Sequence, residues 1–294
     1  MPAARGSTDV PNLDSDARER ADAYLRLADR LLPNWITGFY LVGSAALDEY
    51  RPGKSDVDFV AVVRRRPDPA RLRRLRLLHV LAGAGSAWRS VMRRRSPISG
   101  TVNGVFVREE DLQVPVTRIQ PLASHVAGHF RLGRGFDVNP VVWRLLAERG
   151  IAIRGAAPGN LGLDAEPGIL RDWNLQNLNS YWRSWGRSTA SLGPAGRVAT
   201  AIPRTRMRMV TWGTLGAPRL HCTIATGEIV GKAAAGEYAL ATFGPRWRPL
   251  IAAALAHWRG ERCDNLGGRA VQRAGEFVLE VVDSANELPK RRQG

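Results

Sequence analysis

The chain is poor in cysteine, poor in acid and without a long apolar run. Its two cysteines, Cys222 and Cys263, stand far apart and match no metal-ligand or redox spacing. They read as small buried hydrophobes with no chemical role. No apolar stretch approaches the roughly eighteen residues of a membrane-spanning helix. The opening residues Met1–Arg5 lack the apolar centre of a secretory signal, so the expected compartment is the cytoplasm. Acidic residues number 27 against 43 Lys and Arg, a net charge of +16, and nearly all the excess is arginine. Such a chain attracts polyanions, ATP and nucleic acid among them, and repels a polycation unless its pocket is locally acidic. Solvated, arginine-rich helix faces account for the same charge, and no row of interleaved aromatics favours nucleic acid. What is present is ordinary for a globular protein: 294 residues, 44% hydrophobic and 24% charged, enough for one or two domains with a full core.

Residues 37–62 carry the chemistry. Two apolar runs, Phe39–Val42 and Phe59–Val63, read as strands buried on both faces. Between them lie Gly43 and Ser44, an Ala-rich helical turn, and the breaker Pro52-Gly53. Asp56 and Asp58 open the second strand, and alternate strand residues project to one side, so the two carboxylates point together. Two like charges that close repel unless a cation lies between them. Mg²⁺ suits the pair, because it is held by one or two carboxylates, waters and substrate phosphates. Gly43 lets backbone approach a phosphate, and Ser44 offers N–H and hydroxyl donors. A phosphate cradle beside paired carboxylates implies nucleotide chemistry.

This stretch resembles the polymerase-beta-like nucleotidyltransferase superfamily, whose signature is an apolar strand, Gly-Ser or Gly-Gly, then Asp-x-Asp in a second strand. Here the matching residues are Leu41 to Ser44 and, after eleven residues, Asp56 to Val60. The superfamily places a third carboxylate on a further strand, as a metal ligand or as the base for the acceptor hydroxyl. Residues 101–107 read as that strand, and the matching position is Asn103. Asparagine ligates a metal weakly and accepts no proton at neutral pH. Either another carboxylate takes the role, with Glu109 and Glu110 candidates by proximity, or the metal acts alone, or catalysis is impaired.

Elsewhere the chain reads mostly as scaffold. Residues 15–32 form a helix capped by Asp14 or Ser15 and ended by Pro33. Residues 70–92 form another, burying Leu72, Leu75, Leu78 and Val80 and turning Arg71, Arg73, Arg74 and Arg76 outward. His125 and His129 share a helix face at four-residue spacing, a zinc-like pair without a third ligand. A helix from Pro140 and a short strand at Ile151–Gly155 close the first half, and residues 159–170, rich in Gly, Asp and Pro, make the boundary. Beyond it the pattern is helical and holds six of the nine tryptophans, mostly core.

The second half carries its own pattern: Arg219, Thr226-Gly227, Ile229 and Lys232, then Trp247 and Trp258 before Gly260. It is similar to the helical domain of the aminoglycoside adenylyltransferases that modify streptomycin and spectinomycin. The resemblance implies an α+β nucleotidyltransferase domain with a short mixed sheet over 15–158 and an all-α bundle over 159–288. A flexible segment, 1–14, and a basic tail, 289–294, flank them. It implies that Asp56 and Asp58 hold Mg²⁺, that Gly43, Ser44, Ser55, Arg219 and Lys232 bind the phosphates of ATP or another NTP, and that Trp258 lies near the base. Whether Trp258 stacks there or belongs to the core stays open. Where the drug-modifying members are acidic, this chain has Arg204, Arg206 and Arg208. A desolvated cationic antibiotic facing them would pay several kcal/mol, which argues against aminoglycosides. The expected function is Mg²⁺-dependent transfer of AMP, or another NMP, to a hydroxyl of a small molecule, by a monomer. The alternatives are a degenerate nucleotide sensor, favoured by Asn103, and a transferase on a nucleic-acid or protein hydroxyl, favoured by charge alone.

Overall fold

A computed structural model describes residues 13–92, 101–126, 129–200, 202–262 and 266–289. The chain divides into two compact units, Met1–Glu166 and Pro167–Gly294. This division falls eight residues beyond the expected end of the first domain at 158. Residues 159–166 remain with the first unit because Val116 N–H donates to Asp164 O (3.1 Å) and Thr117 N–H to a Glu166 carboxylate oxygen (2.8 Å).

The first unit runs α1 (Ser15–Leu31), β1 (Ile36–Val42), α2 (Gly43–Ala46), β2 (Val57–Val63), α3 (Pro69–Met92), β3 (Val102–Arg108), β4 (Ala123–Val126), β5 (His129–Leu132), α4 (Pro140–Arg149) and β6 (Ile151–Arg154). Its six-stranded sheet has the order β5-β4-β3-β2-β1-β6. Among the described residues only β2 and β3 pair in parallel; the other pairings are antiparallel. The expected mixed sheet is therefore present.

Period-two alternation splits the central strands between two cores. On one face Phe39, Leu41, Phe59, Ala61 and Phe106 meet α1 and α3. Phe39 stacks on Phe59 at 4.7 Å, and burying such a ring is worth about 1.5–3 kcal/mol. On the other face Tyr40, Val42, Val60, Val62, Val105 and Val107 meet Trp143 and Leu146 of α4. Asp14 caps α1 by accepting from Asp16 N–H at 2.8 Å, and Asn139 caps α4 by accepting from Val142 N–H at 3.0 Å.

Three expectations are corrected here. His125 and His129 lie on the antiparallel strands β4 and β5, not on one helix face, because the chain reverses between them. Along α3, Leu75 and Leu78 are buried, Leu72 is half-buried, and Val80 is 67% exposed. His79 takes the inward place, one residue earlier on the i, i+3, i+4 face, where it stacks on His125 at 4.3 Å. Finally, two residues of the expected flexible segment 1–14 are held in place: Leu13 packs against the first core and Asp14 caps α1. Residues 1–12 lie outside the described residues, as do Cys263 and positions 290–294 of the basic tail.

The second unit is helical: α5 (Leu170–Asn177), a π-helical turn (Leu178–Trp182), α6 (Arg183–Ala190), α7 (Pro194–Ala199), α8 (Pro203–Thr226), α9 (Lys232–Thr242), α10 (Arg248–Arg259) and α11 (Ala270–Glu287). Trp182, Trp247 and Trp258 are core, whereas Trp212 is 45% exposed. Gly213 and Gly216 of α8 leave room for the rings of Trp185 and Trp182, to which a Cβ would come within 2.3 Å. Cys222 is buried and free. Among the described residues no helix is long and apolar enough to cross a membrane.

Candidate functional site

At one end of the sheet the close of β1 meets the starts of β2 and β3. Val42 pairs with Asp58, and Asp58 pairs in turn with Asn103. Asp58 and Asn103 share the face of Val60, Val62 and Val105. Asp56 points the same way, because its Oδ1 accepts from Thr101 N–H at 3.0 Å and from Thr101 Oγ1 at 2.8 Å. The same hydroxyl stands 3.2 Å from Asn103 Oδ1. Thr101 thus ties one aspartate to the strand that carries the amide.

Gly43 turns out of β1 with φ +61. A Cβ there would stand 2.3 Å from Asp58 Oδ2, so only glycine lets this carboxylate lie against the turn. Ser44, half-buried, follows it, and its carbonyl accepts from Glu49 N–H at 2.9 Å. Ser55 is buried, with its hydroxyl accepting from Arg51 N–H at 3.1 Å. That bond closes the turn before Asp56, so Ser55 shapes the approach to the aspartates from inside.

Glu109 and Glu110 lie at the far end of β3, about 20 Å from Asn103 at 3.3 Å per residue. Glu110 pairs with Arg108, which also grips the buried Asp111 at 2.6 Å. Neither glutamate is a third carboxylate for this site. Among the described residues no group of three His, Cys, Asp or Glu side chains is arranged to hold a metal. The donor set is a pair of aspartates, which fits Mg²⁺ shared with substrate phosphates and does not fit an all-protein cage.

In the second unit the remaining candidates gather around α8 and α9. Arg219 Nε donates to Val230 O at 3.0 Å, which fastens the loop leading into Lys232. Lys232 Nζ sits 4.3 Å from the centre of the Trp258 ring and 5.9 Å from that of Trp212. Trp258 is a core residue whose ring faces the ammonium, an arrangement worth about 0.5–2 kcal/mol. Trp212 Nε1 donates to Tyr181 Oη at 3.1 Å. Arg204, Arg208 and Trp212 recur every four residues along one exposed face of α8.

Sequence comparison then supplies the family context. Residues 25–84 match the family model described as nucleotidyltransferase domain. Residues 206–284 match the model described as aminoglycoside adenylyltransferase, C-terminal domain. The chain therefore resembles the nucleotidyltransferases in its first unit and the aminoglycoside adenylyltransferases in its second. A similar solved structure is spectinomycin adenyltransferase AAD(9) from Enterococcus faecialis, with ATP and spectinomycin. It superposes with a TM-score of 0.62 at 13% identity, over 90% of this chain and 98% of that one. A search of curated proteins finds no match. The chain therefore shares the fold of that structure, with arginines at 204 and 208 on an exposed face of its helical unit.

One residue of the first unit, Thr101, is missed by the sequence. It stands two positions before Asn103 on the same strand face, a signal that alternation alone supplies.

Proposed function

We infer that the protein is an Mg²⁺-dependent nucleotidyltransferase that moves AMP, or another NMP, from an NTP to a hydroxyl of a small molecule. The observation that supports this reading is the packing of Asp58 on the Gly43 turn, with Asp56 on the same side. Bound between those carboxylates and the triphosphate, Mg²⁺ would neutralise charge on the phosphates and on the departing pyrophosphate. Asp56 is oriented for that role by Thr101, and Gly43 and Ser44 offer backbone and hydroxyl to phosphate oxygens. We assign Arg219 and Lys232 to phosphate binding, as positioning and neutralising charges. Trp258 then serves as the floor that orients Lys232, rather than as a stacking surface for the base.

The match to AAD(9), crystallised with ATP and spectinomycin, supports ATP and a small-molecule acceptor. Arg204 and Arg208 argue that the acceptor is not a polycation. The deciding assay follows pyrophosphate release from ATP and Mg²⁺ over a panel of hydroxyl acceptors. Turnover that vanishes in Asp56→Ala and Asp58→Ala supports the transferase. Nucleotide binding without turnover for any acceptor supports the second reading, a nucleotide sensor, which Asn103 favours.

A further inference from the structure

The helical unit presents an exposed aromatic pair. Trp212 of α8 is 45% exposed and Tyr181 is 47% exposed. Trp212 Nε1 donates to Tyr181 Oη at 3.1 Å, so the two side chains form one surface. Tyr181 comes from the π-helical turn Leu178–Trp182 between α5 and α6. Single π-helical turns are rare and recur at functional sites. This one buries Trp182 and leaves its neighbour Tyr181 outside. The pair has a firm support. Trp182 packs on Trp212 at 5.8 Å with the rings 30° apart, and it meets Trp185 edge-on at 6.0 Å. Gly216 and Gly213 leave the space that these two lower rings occupy. An aromatic side chain braced in this way loses little freedom when a ligand ring stacks on it.

Cations rim the surface. Lys232 Nζ stands 5.9 Å from the centre of the Trp212 ring. Arg208 and Arg204 precede Trp212 by about one and two turns on the same exposed face of α8, about 6 and 12 Å along its axis. Among the described residues no carboxylate pairs with either arginine. An apolar surface with a polar rim marks a binding site, and this rim complements a flat anion. A flat cation is disfavoured, since Lys232 already stands beside the indole. The kind of hydroxyl follows from position 103, where an amide replaces a carboxylate. Asparagine takes up no proton, whereas a phenol ionises near pH ~10 against about 15.7 for water, so a phenol asks least of a general base.

We propose that Trp212 and Tyr181 form the platform on which the acceptor stacks, and that the acceptor is a phenol carrying a negative charge, which Arg208 and Arg204 hold. The phenolic oxygen bonds to the α-phosphorus, the bond to the pyrophosphate oxygen breaks, and pyrophosphate leaves with that electron pair. The phenolic proton passes to water. The proposal rests on the transferase reading and names its acceptor class. Lys232 links the two, because the ammonium assigned to phosphate binding stands beside the platform.

The experiment follows pyrophosphate release from ATP and Mg²⁺ with four acceptors: para-hydroxyphenylacetate, tyramine, mandelate and gluconate. Tyramine keeps the phenol and reverses the charge, mandelate keeps ring and charge with an alkyl hydroxyl, and gluconate keeps the charge without a ring. Para-hydroxyphenylacetate should exceed each of the others in kcat/KM by about tenfold or more. Trp212→Leu should raise its KM about tenfold, and Arg208→Gln less steeply, while calorimetric affinity for ATP and the melting temperature stay near wild type. A structural role for Trp212 would move the melt and all acceptors alike. Para-hydroxyphenylacetate that is silent or no better than tyramine or gluconate, or a KM unchanged in Trp212→Leu, overturns the proposal and leaves the transferase reading intact on whichever acceptor turns over. ATP binding weakened in Trp212→Leu would give the platform to the nucleotide base and overturn it as well. Wild type as silent as Asp58→Ala with every acceptor would bring down the transferase reading itself, and this proposal with it.

Discussion

Asp58 Oδ2 occupies the space beside Gly43 that any side chain would fill, 2.3 Å from the position of a Cβ. The contact couples a backbone conformation to a carboxylate. At φ +61 an alanine at position 43 costs about 1–2 kcal/mol in backbone strain and also pushes Asp58 away. Gly43→Ala should therefore lower the melting temperature by several degrees and pyrophosphate release by about 100-fold or more. A variant that transfers at the wild-type rate would show that the turn has no part in the chemistry.

Lys232 is held by the ring of Trp258 at 4.3 Å. If it neutralises phosphate charge, Lys232→Met raises the KM for ATP about tenfold or more, with little change in fold. Trp258→Leu should do the same less steeply, since it frees the ammonium without removing it. Calorimetric titration with ATP and Mg²⁺ reads both, and unchanged affinity in Lys232→Met removes this residue from the phosphate set.

Arg204 and Arg208 set the charge of the exposed α8 face. Spectinomycin and other cationic hydroxyl compounds should be poor acceptors for the wild-type chain. Reversing both residues to glutamate should raise kcat/KM for such acceptors about tenfold. Salt dependence should weaken in parallel, and the absence of any change between the two proteins would place the acceptor elsewhere.

His79 is buried beside Tyr24, His125 and Phe130, and neither ring nitrogen finds a partner among the described residues. Burial, then the neighbouring His125, lowers its pKa to about 3. The unfolded chain protonates this imidazole near pH 6.5, so its contribution to stability is present above that value and falls away as pH drops towards 3. The loss is on the order of a few kcal/mol. His221, held near 4 by burial, slopes the same way. Denaturant melts between pH 7 and 4.5 should show His79→Phe losing less stability than wild type over that interval, while keeping some slope from His221. Equal slopes would mean that the imidazole stays neutral in both states.

Much of the site was legible because it obeys short-range rules. Asp56 and Asp58 share a side by strand alternation, and Gly43 announces the turn that lets one of them close in. Asp14 and Asn139 cap the helices they precede. What could not be read depends on where the chain reverses. His125 and His129 satisfy helical spacing, yet the chain folds back between them, so each belongs to a different strand. Glu109 and Glu110 are near Asn103 in sequence and a strand's length from it in space. Hydrophobicity favours Val80 for the inward place, although helical period assigns that place to His79.

The one parallel pairing in the sheet has a kinetic consequence. Val57 N–H reaches Thr101 O at 2.9 Å, so Asp56 gains its neighbour only once a loop of more than forty residues has closed. Hairpins such as β1 with β2 close shorter loops and form sooner. The aspartates therefore acquire their final surroundings late in refolding, and catalytic competence should lag behind the recovery of helical circular dichroism.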